Sequence, residues 1–159
     1  MMGRAALLTT LLILVSCHVA LGWTGKVVRV IDGDTIVVQK GQQKSRVRLY
    51  GIDCPERAQR FGSVATAYAS SMADQMTVEV TPLDQDRYGR IVALIAPENG
   101  GLTLNGLLVK KGLAWTYDRY CGRSFCSRWR KWEKDARKSK VGLWAQKRPV
   151  APWEYRHKH

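Results

Sequence analysis

The chain has 159 residues, 45% of them hydrophobic and 25% charged, and its 26 Lys and Arg against 13 Asp and Glu leave a net charge of +13. That length and apolar content suit one domain with its own core and exclude a disordered chain. The basic excess draws such a protein to phosphate polymers or anionic membranes, and it is uneven: residues 119–159 hold 13 Lys and Arg beside three acids, whereas residues 23–118 hold 12 beside ten.

In chain order, residues 1–22 have the layout of an export leader: Arg4, an apolar run from Ala5 to Val15, then small residues. The run falls short of the ~20 apolar residues of a membrane span, and nothing later approaches that length. Two processing readings stay open. Ala20-Leu21-Gly22 suits a signal peptidase and would free a soluble chain starting at Trp23, the reading we favour; Leu14-Val15-Ser16-Cys17 is similar to a lipobox and would place a lipid on Cys17. Export permits disulfides. Cys121 and Cys126 flank a four-residue loop that a short disulfide would close, two free thiols being the alternative, and Cys54 is left unpaired.

The expected body, residues 23–148, begins with a strand over 25–31, a turn at Asp32-Gly33-Asp34, a strand over 35–39, a turn at 40–43 and a half-buried strand over 46–50. Ser63 would cap a helix over 64–74 with Val64, Tyr68 and Met72 on one face. A fourth strand over 77–81 would stop at Pro82, a hairpin turn follow at 86–90, and a fifth strand run over 91–96. A short helix over 103–111 and a basic helix over 127–140, with Trp129 and Trp132 facing the core, complete it. Five strands with one helix after the third and two after the fifth predict an α+β domain: a small closed barrel with about three α-helices. Residues 149–159 read as a loosely packed basic tail.

The three histidines, His18, His157 and His159, lie in the leader and at the extreme C-terminus, so the body has none. That excludes Ser-His-Asp and Cys-His hydrolases and histidine–metal nucleases. No phosphate-binding glycine loop or zinc-protease motif is present. Chemistry must therefore come from carboxylates and arginines, with or without a hard metal ion. Acids gather at strand ends: Asp32 and Asp34 in the first turn, Asp53 and Glu56 just after the third strand. If the second and third strands pair, Asp34 and Asp53 approach one another and offer oxygen ligands to Ca²⁺. Arg48 and Arg90, on neighbouring strands, would point into the same cleft and grip a phosphate.

Ile31-Asp32-Gly33-Asp34-Thr35, Arg48 to Glu56 (RLYGIDCPE) and Asp86-Arg87-Tyr88-Gly89-Arg90 resemble, in that order, the three signatures of the thermonuclease (staphylococcal nuclease-like) family; Gly112-Leu113-Ala114-Trp115 and Gly142-Leu143-Trp144 resemble its further landmarks. The resemblance spans residues 24–155. It implies an OB-type five-stranded barrel and a Ca²⁺-dependent phosphodiesterase that cuts DNA and RNA to 3′-phosphate products. By position it implies Asp34 and Asp53, with the Cys54 carbonyl, as Ca²⁺ ligands, Glu56 as general base, Arg48 and Arg90 as phosphate-binding arginines, and Tyr88, Tyr117 and Tyr120 as nucleotide contacts. The expected enzyme is exported, monomeric and acts on nucleic acid, with the basic C-terminal third as a capture surface. The rivals are a non-catalytic OB-type nucleic-acid-binding module and an exported lipoprotein.

Overall fold

The computed structural model describes residues 21–158. Cys17 and nearly all of the leader lie outside the described residues. The chain runs β1 (Trp23–Asp32), β2 (Thr35–Lys40), β3 (Gln43–Leu49), β4 (Ile52–Asp53), α1 (Gly62–Ala73), β5 (Thr77–Gln85), β6 (Ile91–Pro97), α2 (Leu104–Lys110), β7 (Trp115–Thr116), α3 (Cys126–Lys138) and α4 (Pro152–Lys158).

Five strands close a barrel in the order β1-β2-β3-β6-β5, with β5 returning to β1; β3 and β6 run parallel and the other pairs antiparallel. Alternation along each strand fills the interior. Val27, Ile36, Val38, Val47, Leu49, Val80 and Ile95 are all at most 1% exposed. Each such side chain contributes roughly 1.5–3 kcal/mol on burial. This is the expected α+β, OB-type barrel. An added feature is the two-residue ribbon in which β4 pairs with β7, Asp53 opposite Trp115.

Three local expectations are corrected. Pro82 does not stop β5. The strand continues to Gln85 because the ladder shifts register between Pro82 and Asp84, where a residue without an N–H costs no ladder bond. Helix α1 buries Ala65, Ala69 and Ala73, while Val64 and Met72 are exposed. The small face is dictated by close approach: a side chain at Gly33 would come within 2.9 Å of Ala65 and 2.8 Å of Cys54. Nor does Ser63 cap α1; Phe61, in the left-handed conformation at φ 71°, precedes it with no side-chain cap. By contrast, Thr103 caps α2, accepting from the Gly106 N–H at 3.2 Å.

The tail is the fourth correction. It is helix α4, the fourth α-helix among the described residues beside the roughly three expected. Pro152 occupies its first position, where the missing N–H costs nothing. Ala151 and Pro152 are buried, and Trp153 stacks on Tyr117 with ring centroids 4.8 Å apart and planes 10° from parallel.

Candidate active site

The site grows from two turns that the barrel brings side by side. The β2–β3 ladder pairs Thr35 with Arg48, and the Leu49 N–H donates to the Asp34 carbonyl at 2.8 Å. The chain then turns at Gly51, whose φ of +70° favours glycine, and enters β4. A side chain there would meet Cys121 Sγ at 2.6 Å. Cys121 is bonded to Cys126, so the expected disulfide backs the turn that aims Asp53. Asn105, fully buried, ties the same corner: its amide donates to the carbonyls of Tyr50 and Ala93, both at 3.1 Å.

Asp34 and Asp53 are buried, 6% and 1% exposed, and Arg48 joins them. Its Nη1 pairs with Asp34 Oδ1, and its Nη2 donates to Asp53 Oδ1 at 2.7 Å and to the Ile52 carbonyl at 3.2 Å. The Cys54 N–H donates to the other Asp34 oxygen at 2.6 Å, and the Thr35 hydroxyl to Oδ1 at 3.3 Å. The Asp34 N–H in turn donates to Asp32 Oδ1 at 3.0 Å. Burial pulls the Arg48 pKa down, but Asp34 and Asp53 outweigh it and hold the guanidinium charged. Burial pushes the Asp53 carboxyl up, against hydrogen bonds and charge from Arg156 and Arg48. Asp32 is pushed up to about 6, first by burial and then by the charge of Asp34. The Cys54 thiol is buried and, by that burial above all, pushed well up, so it stays protonated.

Glu56 sits at the rim, its side chain 38% exposed. Its N–H donates to Gln59 Oε1 at 3.1 Å, and Gln59 donates to the Val150 carbonyl at 2.6 Å, stapling this loop to the C-terminal segment. Gly62 opens α1 hard against the Glu56 carbonyl, where no side chain fits.

Arg48, Asp34, Asp53, Cys54 and Glu56 thus converge. Arg90 and Tyr88 form a neighbouring group on the β5–β6 hairpin. Arg90 Nε donates to Asp86 Oδ2 at 2.6 Å, and its guanidinium lies 5.6 Å from the Tyr88 ring centroid. No contact joins this pair to the acidic cluster among the described residues, although the parallel register of β6 on β3 sets Ile91 beside Val47, next to Arg48. Tyr117 and Tyr120 pack edge to face at 4.8 Å, and one face of Tyr117 is covered by Trp153. A cavity of about 380 Å³ lies between β7, α3 and α4, lined by Trp115, Arg130, Glu133, Lys134, Arg137 and Trp153 among others; none of the clustered acids lines it.

The sequence reading missed Arg156. From α4, its Nη1 donates to Glu56 Oε1 at 2.6 Å and its Nη2 to Asp53 Oδ2 at 2.8 Å. Proline at the first helical position, Glu154 in the first turn and Arg156, His157 and Lys158 in the last were the available helix signals.

Asp34 and Asp53 supply buried carboxylate oxygens of the hard-donor kind that a cation such as Ca²⁺ takes. Among the described residues no three His, Cys, Asp or Glu side chains gather to hold a metal by themselves. A cation held here would draw two carboxylates from the protein, with water and phosphate filling the rest of its shell.

A closed barrel with two buried carboxylates held by arginines carries groups suited to phosphate-ester chemistry, and comparison with known proteins gives the class. Residues 46–146 match the family of staphylococcal nuclease homologues. The chain is similar to a micrococcal nuclease of Shigella flexneri, 37% identical over 95% of this chain and 90% of that one, and to an uncharacterized endonuclease of Escherichia coli, 40% identical over 84% and 85%. A staphylococcal-like nuclease of Arabidopsis thaliana is 40% identical over 72% of this chain and 34% of its own length. The chain belongs to the staphylococcal nuclease family. It is a nuclease, a phosphodiesterase acting on nucleic acid.

Proposed function

We propose that this nuclease is exported, acts as a monomer, depends on Ca²⁺ and hydrolyses DNA or RNA to 3′-phosphate products. The observation that carries the reading is Arg48 bridging two buried aspartates, Asp34 and Asp53, with Glu56 at the rim of the same cluster. Pure binding of a polyanion does not call for carboxylates in that place.

Asp34 and Asp53, with the Cys54 carbonyl, are the residues that would hold Ca²⁺. When bound, the ion supplies Lewis-acid polarisation of a phosphoryl oxygen. Glu56 is exposed enough to reach a water; it orients that water and takes its proton as the new P–O bond forms in line with the departing 5′ oxygen. The P–O5′ bond breaks, the 5′ oxygen takes a proton from solvent water, Glu56 returns its own to solvent, and the phosphate stays on the 3′ side. Arg48 holds its charge where the five-coordinate phosphorus builds up negative charge, already oriented by its aspartates. Arg90, aimed by Asp86, is the second arginine for the phosphate, and Tyr88, Tyr117 and Tyr120 are the nucleotide contacts. The Cys121–Cys126 disulfide supports an oxidising compartment. Among the described residues no helix is long and apolar enough to cross a membrane.

Plasmid DNA and RNA incubated with Ca²⁺, and again with EGTA, test the reading. Degradation that ends in 3′-phosphates and stops with EGTA is expected; equal activity in both would overturn the Ca²⁺ dependence. Glu56→Gln should lower kcat by about 10²-fold, and a wild-type rate would remove Glu56 from the chemistry. Labelling with a palmitate analogue, with Cys17→Ala as control, distinguishes a lipid anchor from a soluble exported form.

A further inference from the structure

Helix α4 has seven residues, too few to be stable alone, so its place is set by its anchors. Trp153 is held between Tyr117, on which it stacks, and Trp115, which it meets edge-on at 5.6 Å. Gln59 grips the Val150 carbonyl just before the helix. Arg156 lies three residues beyond Trp153, on the same side of a helix. The anchoring that seats the tryptophan therefore also delivers the guanidinium to the acids.

What Arg156 touches is specific. Asp53 Oδ1 is shared between Arg48 at 2.7 Å and Arg156 at 3.3 Å. Asp53 Oδ2 accepts from Arg156 at 2.8 Å and from no other donor among the described residues. It is thus the carboxylate oxygen that Arg48 leaves open. The same Nη1 that reaches Asp53 also holds Glu56 Oε1 at 2.6 Å. Asp53 is 1% exposed, whereas the Arg156 side chain is 43% exposed, so the arginine can withdraw towards solvent while the aspartate cannot.

We infer that Arg156 is a positioning residue with two effects: it holds Glu56 beside Asp53, and it competes with the divalent cation for Asp53. A planar fork satisfies both carboxylates at once, which a lone ammonium would not. A cation entering the cluster must displace Arg156 from Asp53 Oδ2, and that displacement weakens its apparent affinity. This rests on the Ca²⁺ reading proposed above.

The test is calorimetric titration with Ca²⁺ alone of the wild type, R156Q, R156K and D53N, with melting temperature and kcat at saturating Ca²⁺ measured alongside. R156Q should bind Ca²⁺ roughly tenfold more tightly, as expected for removing one charge-assisted competitor. Its kcat should fall by about tenfold, because Glu56 loses the Nη1 that ties it to Asp53 Oδ1, a contact that displacement of Nη2 from Oδ2 leaves in place. R156K, which keeps the charge without the fork, should lie between and covers the case in which R156Q folds poorly. A merely structural role for α4 would lower the melting temperature without tightening Ca²⁺ binding. Unchanged or weaker affinity in R156Q, or an unchanged kcat, overturns the inference while the Ca²⁺ reading stands. If the wild type shows no Ca²⁺ binding that D53N diminishes, the Ca²⁺ reading itself fails and the inference falls with it.

Discussion

Two carboxylates as deeply buried as Asp34 and Asp53 repel one another and lose solvation, and Arg48 is the charge that holds them together. Arg48→Ala leaves both without it. Removing one partner of a buried ion pair costs about 3–5 kcal/mol, so the variant should melt well below wild type in EGTA. Ca²⁺ should recover part of that loss by supplying the missing positive charge; a melting temperature that ignores Ca²⁺ would mean the two aspartates are not its ligands. Turnover should stay roughly 10²–10³-fold down even at saturating Ca²⁺. At Asp86 the pH dependence has a defined sign. Burial raises its pKa, but hydrogen bonds from Arg90 and Tyr88 outweigh this and hold it below the usual carboxylate value of 3.8. A lowered folded pKa contributes stability above the unfolded pKa, and that stability is lost as pH falls through the folded value. Wild type should therefore melt above Asp86→Asn at pH 6, and the difference should shrink as pH drops below 3.8. A gap that persists unchanged at pH 2.5 would show that the carboxylate's charge is not its source.

The elements owe their positions to close approaches that only small residues allow. Alanines on α1 and Gly33 in the first turn let the helix lie against the segment carrying Asp32 and Asp34. Gly51 does the same for β4, combining a left-handed backbone with the Cys121 sulfur 2.6 Å from where a side chain would begin. A left-handed conformation costs an L-residue about 1–2 kcal/mol, and displacing the disulfide adds to this. Gly51→Ala should thus lose at least about 2 kcal/mol in chemical denaturation and weaken Ca²⁺ binding through Asp53, two residues on. A variant as stable as wild type would show that the turn yields more readily than its packing suggests. Helix α3 shows how a strongly basic segment still packs: Trp129 and Ala136 are buried, Trp132 half-buried, and Arg128, Lys131, Lys134 and Lys138 exposed.

For the whole molecule, the basic C-terminal third is divided in use: Arg156 reaches the clustered acids, whereas no hydrogen bond or ion pair joins the basic residues of α3 to them among the described residues. Arg130 and Arg137 are already paired, with Asp118 and Glu133, and Arg137 also lies over the rings of Trp115 and Trp144. They are poor candidates for phosphate contacts, and Lys131, Lys134 and Lys138 are better ones. Reversing these three lysines to glutamate should weaken binding of long DNA or RNA and flatten its salt dependence by about 0.9 per lost contact on duplex DNA. Cleavage of a dinucleotide substrate should be unaffected. An unchanged salt slope would assign capture of the polymer to another surface.

The amino-acid sequence by itself determined the barrel, because alternation along β1, β2, β3, β5 and β6 is a local pattern that burial turns into an inside and an outside. It also brought Asp34, Arg48, Asp53 and Glu56 together, since they are residues at or just past strand ends of neighbouring segments, but not the full set of arginines: Arg90 pairs with Asp86 instead, and Arg156 was missed. It misjudged α1, where periodicity pointed to Val64 and Met72 but the space beneath the helix admits only alanines. It missed α4 as well, because the end signals at Pro152, Glu154 and Arg156 cannot by themselves order a helix of seven residues. Only the tertiary structure decided that Trp153 finds Tyr117 and that Arg156 thereby reaches carboxylates 100 and 103 residues earlier in the chain. Contacts at that separation leave no periodicity in the sequence; they depend on which surfaces the finished barrel leaves open to cover.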